Sequence, residues 1–207
     1  MSPKTRDLET RREAILRAAF DEFSEKGYER THLEAIARRA RVSKGTLYEV
    51  ATSKIDLFFL VCARKLAANL NRAIAAITNY DADPMSCLRA AVSAVIPSVR
   101  EAQGNYAIMY EMFGLALRDE NLGRRVAEAM HETIGGLAVA VAEPIRSGIA
   151  AGVYRPDLEP REVARFIGAW ADYLWREWVL MPEQTTKNLS RQTQIFLDLL
   201  ERAITIK

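Results

Sequence analysis

Between Thr31 and Val50 the sequence carries two short apolar-periodic segments separated by three residues, and this constrains the fold more than any other feature. Helices this short at this spacing cannot bury a core alone; they are the dimensions of a helix-turn-helix. Thr31-His-Leu-Glu34 reads as a capping box, in which the threonine hydroxyl accepts from the Glu34 amide and the carboxylate reaches back. It predicts a helix over Leu33 to Ala40 with Ile36, Ala37 and Ala40 turned inward. The pattern breaks at Arg41-Val42-Ser43, and Ser43 is a good N-cap for a second helix over Lys44 to about Val50. The small Ala37 and Ala40 allow the two to pack closely, with Val42 and Leu47 plugging the angle.

Helical period dominates elsewhere, and no run alternates as a strand would. A first helix is expected from about Asp7 to Lys26. It buries Ile15, Ala18, Ala19 and Phe23, leaves Arg11, Arg12, Glu22 and Glu25 wet, and is ended by Gly27. Thr52 or Ser53 can cap a long helix from Lys54 to about Thr78. Asp83-Pro84 opens another to near Glu101, with Gly104-Asn105 separating it from Tyr106 to Leu117. Further helices are expected over about Asn121 to Ala151, with a kink at Pro144, from Glu159-Pro160 through Leu180, and over about Thr186 to Thr205. The expected architecture is therefore all-α: a three-helix domain over residues 1–53 and a helical bundle over 54–207.

Residues 1–55 hold 12 Lys and Arg against 9 Asp and Glu, a net +3, in a chain whose total is +2. Between Ile36 and Lys54 the bases Arg38, Arg39, Arg41, Lys44 and Lys54 face only Glu49, which suits a phosphate-facing surface. Cys62 and Cys87 lack metal-ligand spacing and fit a reducing compartment as small buried residues. No apolar run is long enough to span a bilayer and no apolar signal core follows the first residues, so a cytoplasmic protein without membrane contact is expected. Glycine-rich phosphate loops, nucleophile elbows and metal constellations are absent, and His32 and His131 are the two histidines. That leaves little room for an all-helical enzyme and calls for neither cofactor nor metal.

In a helix-turn-helix the second helix enters the major groove. Lys44 can reach guanine O6 and N7, Thr46 a thymine methyl or a phosphate, and Gly45 lets the backbone approach closely. Ser43, Tyr48 and Lys54 can donate to phosphates. Residues 15 to 60 resemble the DNA-binding region of the TetR family. The resemblance is carried by Ile15, Ala18, Ala19, Phe23, Gly27, Tyr28, Thr31, Ile36-Ala37, Ala40, Val42 to Tyr48, Ser53-Lys54 and Leu57. The stretch Gly148-(x3)-Gly152-Val-Tyr-Arg-Pro-Asp157 resembles the family's lead-in to its penultimate helix. The chain departs from the family at Arg41, where glycine is usual, and at Val50 and Ala51, where an aromatic or histidine and then phenylalanine are usual. Phe58 or Phe59 can fill the space at Ala51.

The resemblance implies a homodimeric regulator, usually a repressor, whose Thr31, Arg41, Ser43, Lys44, Gly45, Thr46, Tyr48 and Lys54 bind a near-palindromic double-stranded DNA operator. It also implies release by a small molecule in the C-terminal domain. Candidate effector contacts, suited to a hydrophobic ligand, are Tyr106, Met109, Tyr110, Met112, Phe113, His131, Trp170 and Tyr173, with Glu111, Asp172 and Arg176 as further polar groups. Candidate dimer contacts are Ala164, Ile167, Ala171, Leu174 and Trp178 on the penultimate helix, with Phe166 in the same aromatic set, and Ile195, Leu199 and Ala203 on the last. An adaptor controlled by a protein partner is the alternative to a small-molecule sensor.

Overall fold

A computed structural model describes residues 3–78, 83–94 and 99–206. Among these the elements are α1 (Pro3–Arg30), α2 (Leu33–Ala40), α3 (Lys44–Val50), α4 (Lys54–Thr78), α5 (Pro84–Ala94), α6 (Val99–Ala116), α7 (Glu120–Ala150), α8 (Pro160–Leu180) and α9 (Pro182–Ile204). They form two compact units, residues 1–65 with 104–129, and 66–103 with 130–207.

In the first unit the apolar stripe of α1 meets the short helices. Ile15, Ala19 and Phe23, Ile36, Leu47, and Leu57 and Phe58 are all fully buried. Of the two phenylalanines expected to compensate at Ala51, Phe58 enters this core, its ring centroid 4.7 Å from Phe23 and 5.1 Å from Tyr28. Phe59 instead lies under the Arg125 guanidinium, 4.4 Å away. Regular helix in α1 stops at Gly27 (φ 77°, ψ 170°), a conformation costly for any side chain, and one further turn ends at Arg30. The α6 carboxylate of Glu111, a candidate effector contact, accepts from the Tyr28 amide at 2.8 Å and so satisfies a donor freed by that kink.

Asp56 organises the start of α4. Its amide donates to Ser53 Oγ at 3.1 Å, its Oδ2 accepts from Ser53 at 2.8 Å and from Thr52, and its Oδ1 binds Arg125 of α7 at 2.7 Å. Ser53 is thus the α4 cap. The hydroxyl of Thr52, then Arg125 and Ser53, hold the Asp56 carboxyl below the usual range against partial burial.

The second unit is built on Leu88 and Val92, Val141 and Ile145, Tyr154, Ala164 and Ile167, and Leu197 and Ile204. After Gly152 (φ 69°) the chain doubles back. Arg155 N donates to Ile204 O at 2.8 Å and Ile206 N to Val153 O at 3.2 Å, closing a Tyr154–Thr205 bridge. The buried Tyr154 ring lies over Gly148; a Cβ there would stand 2.1 Å from a ring carbon.

Some local expectations are corrected. No capping box opens α2: His32 occupies the N-cap without a side-chain bond, and Thr31 is otherwise engaged. Glu22 is buried rather than wet, because Lys26 and Arg39 neutralise it there. Gly104 and Asn105 lie inside α6 rather than between helices, since a helical glycine costs only about 1 kcal/mol. As expected, Pro144 lies inside α7, where it is buried.

Candidate nucleic-acid interface

The turn between α2 and α3 is a Schellman motif. Val42 N donates to Ala37 O at 3.0 Å and Arg41 N to Arg38 O at 3.2 Å, closing the orphan carbonyls of α2. The motif needs a left-handed residue at its centre, and Arg41 takes it (φ 57°, ψ 41°). Among the described residues Arg41 alone is a non-glycine with positive φ. Its side chain is exposed, so the strain is set by backbone closure and the guanidinium is delivered to solvent beside α3.

The N-cap of α3 is Ser43, whose Oγ accepts from Thr46 N at 3.1 Å and lies 2.9 Å from Thr46 Oγ1. Only Leu47 of the seven α3 residues is buried. Lys44, Gly45, Tyr48 and Glu49 are exposed, while Thr46 and Val50 are half-buried. A helix this short is held by its neighbours rather than by its own propensity. Gly45 adds no packing: a Cβ there would meet Ser43 Oγ at an ordinary 3.6 Å, and its φ is not positive.

Several bases expected on the phosphate-facing surface hold the fold together. Arg39 reaches Glu25 at 2.7 Å, Glu22 at 3.1 Å and Asp21 at 3.6 Å, tying α2 to α1. Those hydrogen bonds, Glu25 first, raise its pKa and lower that of Glu25. Lys44 pairs with Glu34 of α2 at 2.5 Å, which raises the ammonium pKa and lowers that of the carboxyl. Lys54 donates to Glu29 O at 3.1 Å and sits 4.3 Å from the Tyr28 ring centroid. Thr31, expected with the DNA contacts, is buried, its hydroxyl donating to Gly27 O at 2.7 Å and Glu22 O at 3.1 Å. It seals the α1 kink and has no hydroxyl to offer a phosphate.

Beside α3 lies a groove of about 220 Å³ lined by Leu8, Arg11 and Arg12 of α1 and Thr46, Glu49 and Val50 of α3. The two arginines are exposed, as the sequence pattern predicts. Periodicity could mark them as wet, but their place beside α3 depends on how the helices pack.

The candidate effector contacts divide between the units. On α6, Met109 and Met112 are buried, Tyr106, Tyr110 and Phe113 are half-buried, and the last two rings meet edge-on at 6.1 Å. In the other unit His131 is exposed, Trp170 stacks on Phe196 at 4.1 Å, and Tyr173 donates to Glu177 at 2.6 Å. Asp172 and Arg176 are exposed and face each other at 3.9 Å.

The expected dimer face of α8 is corrected by its phase. Ala164, Ile167, Ala171, Leu174 and Trp178 are buried within the subunit, whereas Phe166 (71 % exposed) and Tyr173 face out. On α9, Ile195, Leu199 (62 % exposed) and Ala203 are exposed as expected. Aromatic residues on both sides of α8 make two apolar stripes, and sequence alone does not say which one the subunit's own core takes.

Residues 15–61 match the family of bacterial regulatory proteins of the tetR type, and residues 84–205 match the C-terminal domain of BetI-type transcriptional repressors. The chain is 32 % identical over 174 residues to the HTH-type transcriptional regulator HbdR of Aromatoleum sp. (strain CIB), covering 81 % of this chain and 72 % of that protein. It is 30 % identical over 151 residues to the HTH-type transcriptional repressor NicS of Pseudomonas putida, covering 71 % and 67 %. A shorter match, 33 % over 101 residues, is to the HTH-type transcriptional activator FasR of Mycolicibacterium smegmatis, covering 49 % of this chain and 46 % of that protein. A TetR-family regulator from Mesorhizobium loti has the same fold over the whole of both chains, with TM-score 0.77 and 18 % identity. The regulator FadR of Bacillus subtilis, in complex with stearoyl-CoA, superposes with TM-score 0.66 and 22 % identity, covering 90 % of this chain and 96 % of that one. No helix among the described residues is long and apolar enough to cross a membrane. A helix-turn-helix closed by a Schellman turn, followed by helices matching a repressor C-terminal domain, places this chain in the TetR family of DNA-binding transcriptional regulators.

Proposed function

We propose that a homodimer of this chain binds a near-palindromic operator by placing α3 of each subunit in successive major grooves, acts as a repressor, and is released by a small hydrophobic effector. The observation that carries the reading is Gly45. Glycine inside a helix costs about 1 kcal/mol relative to alanine. The fold extracts nothing for it, since a Cβ would fit and the backbone is not left-handed. Close approach of the α3 backbone to DNA supplies the missing reason. Around it Arg41, Ser43, Lys44 and Tyr48 present exposed donors, with Thr46 half-buried among them. Lys54 is already turned to the end of α1 and would have to exchange its Glu29 carbonyl for a phosphate. Lys44 would likewise leave Glu34 for a guanine edge, exchanging one exposed ion pair for a charge-assisted bond.

Two half-sites require two subunits, and the exposed apolar set Phe166, Tyr173, Ile195, Leu199 and Ala203 is available for pairing. The effector reading rests on the methionine- and aromatic-rich α6 segment Met109 to Phe113, a soft apolar lining. The acyl-CoA carried by one structural neighbour is compatible with that chemistry. An effector shifts DNA occupancy only by its differential affinity for the conformer whose α3 helices are wrongly spaced. Repression is preferred because the C-terminal match is to a repressor type.

The test is a salt-titrated binding assay against the DNA upstream of the protein's own gene and a scrambled duplex. The expected result is selective, steeply salt-dependent binding by the wild type, with Lys44→Ala and Tyr48→Ala losing operator affinity while remaining dimeric. Equal affinity of wild type and both variants for operator would overturn the assignment of α3.

A further inference from the structure

Resting on that reading of α3, we propose that Arg11 and Arg12 of α1 are DNA-backbone contacts that hold the phosphates beside the C-terminal end of the reading helix. A helix seated in the major groove lies between two phosphate walls and needs cationic or hydrogen-bonding groups toward both of its ends. The N-terminal end of α3 has them in Arg41, Ser43 and Lys44. The C-terminal end is weaker: its last turn holds no base, its one exposed donor is the Tyr48 hydroxyl, Val50 offers none, and Glu49 is an exposed carboxylate that would repel a phosphate. One neutral hydroxyl beside a carboxylate leaves this end of α3 short of positive charge.

The fold brings α1 to this place. The groove beside α3 is walled on one side by Thr46, Glu49 and Val50 and on the other by Leu8, Arg11 and Arg12. Both guanidinium-bearing residues are exposed, and Arg12 makes no ion pair among the described residues, with Glu49 or with any other acid. The lining sets Arg11 and Arg12 opposite Glu49, and it is continuous with the face that presents Thr46. Leu8, 57 % exposed, and Val50 add apolar surface to the lining, against which a deoxyribose can rest while a guanidinium takes the phosphate in its bidentate fork. The occupant that fits is one strand of the operator backbone. Because the contact reads phosphate rather than a base edge, it adds affinity and register without sequence preference.

The experiment measures binding against salt for the full-length protein, with the upstream DNA and a mixed-sequence duplex of the same length as probes. Each phosphate contact contributes about 0.9 to the slope of log affinity against log salt. Arg12→Gln should lower that slope by about 0.9 and weaken binding roughly fivefold at 0.15 M salt, by the same factor on both probes. The double variant Arg11→Gln with Arg12→Gln should lower it by about 1.8. Arg17→Gln, an exposed arginine on another face of α1, should leave the slope unchanged at the same melting temperature. An unchanged slope in the Arg11 and Arg12 variants, while Lys44→Ala still loses operator affinity, overturns the backbone role and leaves the α3 reading standing. No change in either set overturns both. A loss confined to the upstream DNA overturns the phosphate assignment in favour of a base contact.

Discussion

Replacing Arg41 by glycine separates backbone strain from charge at the turn of the helix-turn-helix. Arg41 holds φ 57° and ψ 41°, where a Cβ crowds the carbonyl at a cost of about 1–2 kcal/mol, and glycine escapes that cost. Glycine also gives the unfolded chain more freedom, which subtracts about 0.5–1 kcal/mol. The exposed side chain contributes no packing, and both Schellman bonds use main-chain donors that survive the substitution. Arg41→Gly should therefore stabilise the fold by about 0.5–1 kcal/mol, raising the melting temperature by about 1–4 °C for a chain of this size. Arg41→Ala keeps the left-handed Cβ and should leave the melting temperature within about 1 °C of wild type. Both variants remove the same cation, so both should lose about 0.9 from the salt slope if the guanidinium meets a phosphate. The assay is thermal unfolding by circular dichroism beside the DNA titration. An Arg41→Gly protein no more stable than Arg41→Ala would refute the claim that backbone closure imposes strain here.

Four further outcomes follow from particular positions. Gly148→Ala should destabilise by about 2–3 kcal/mol in urea unfolding, because its methyl would overlap the buried Tyr154 ring. Gly114→Ala, with open space around it on α6, should stabilise by up to about 1 kcal/mol. Asp56 has a folded pKa below its unfolded value, so its contribution is present above about pH 4 and lost as pH falls through the folded pKa. Asp56→Asn should therefore cost about 1–2 kcal/mol at pH 7 in denaturant titrations, with the gap to wild type closing as the pH drops below about 4. Leu199→Arg, on the exposed face of α9, should yield a folded monomer by sedimentation, whereas a dimer of unchanged affinity would exclude that face.

The short-range code of the DNA-reading half is legible in the sequence. Ser43 caps α3 as its residue type requires, Leu47 is its buried plug, and Gly27 breaks α1 where no other residue would be comfortable. Arg41 is left-handed because three residues must join two packed helices, and that count is written in the chain. Length and period also identified most of the long helices, since a hydrophobic stripe at 3.6 residues per turn is a local property. Tertiary structure decided which partner each group takes. Thr31 has the chemistry of an N-cap, but the α1 carbonyls of Gly27 and Glu22 are nearer, so its hydroxyl turns inward. Arg39 and Lys44 have identical charge signatures, yet one is spent on a three-carboxylate clamp and the other on a single exposed Glu34. Glu111 serves an amide 83 residues away, and α8 offers two apolar stripes of which its own subunit claims one. Period and propensity act over a few residues of chain, whereas ion pairs, burial and the groove that brings Arg11 and Arg12 beside α3 depend on distances that only packing sets.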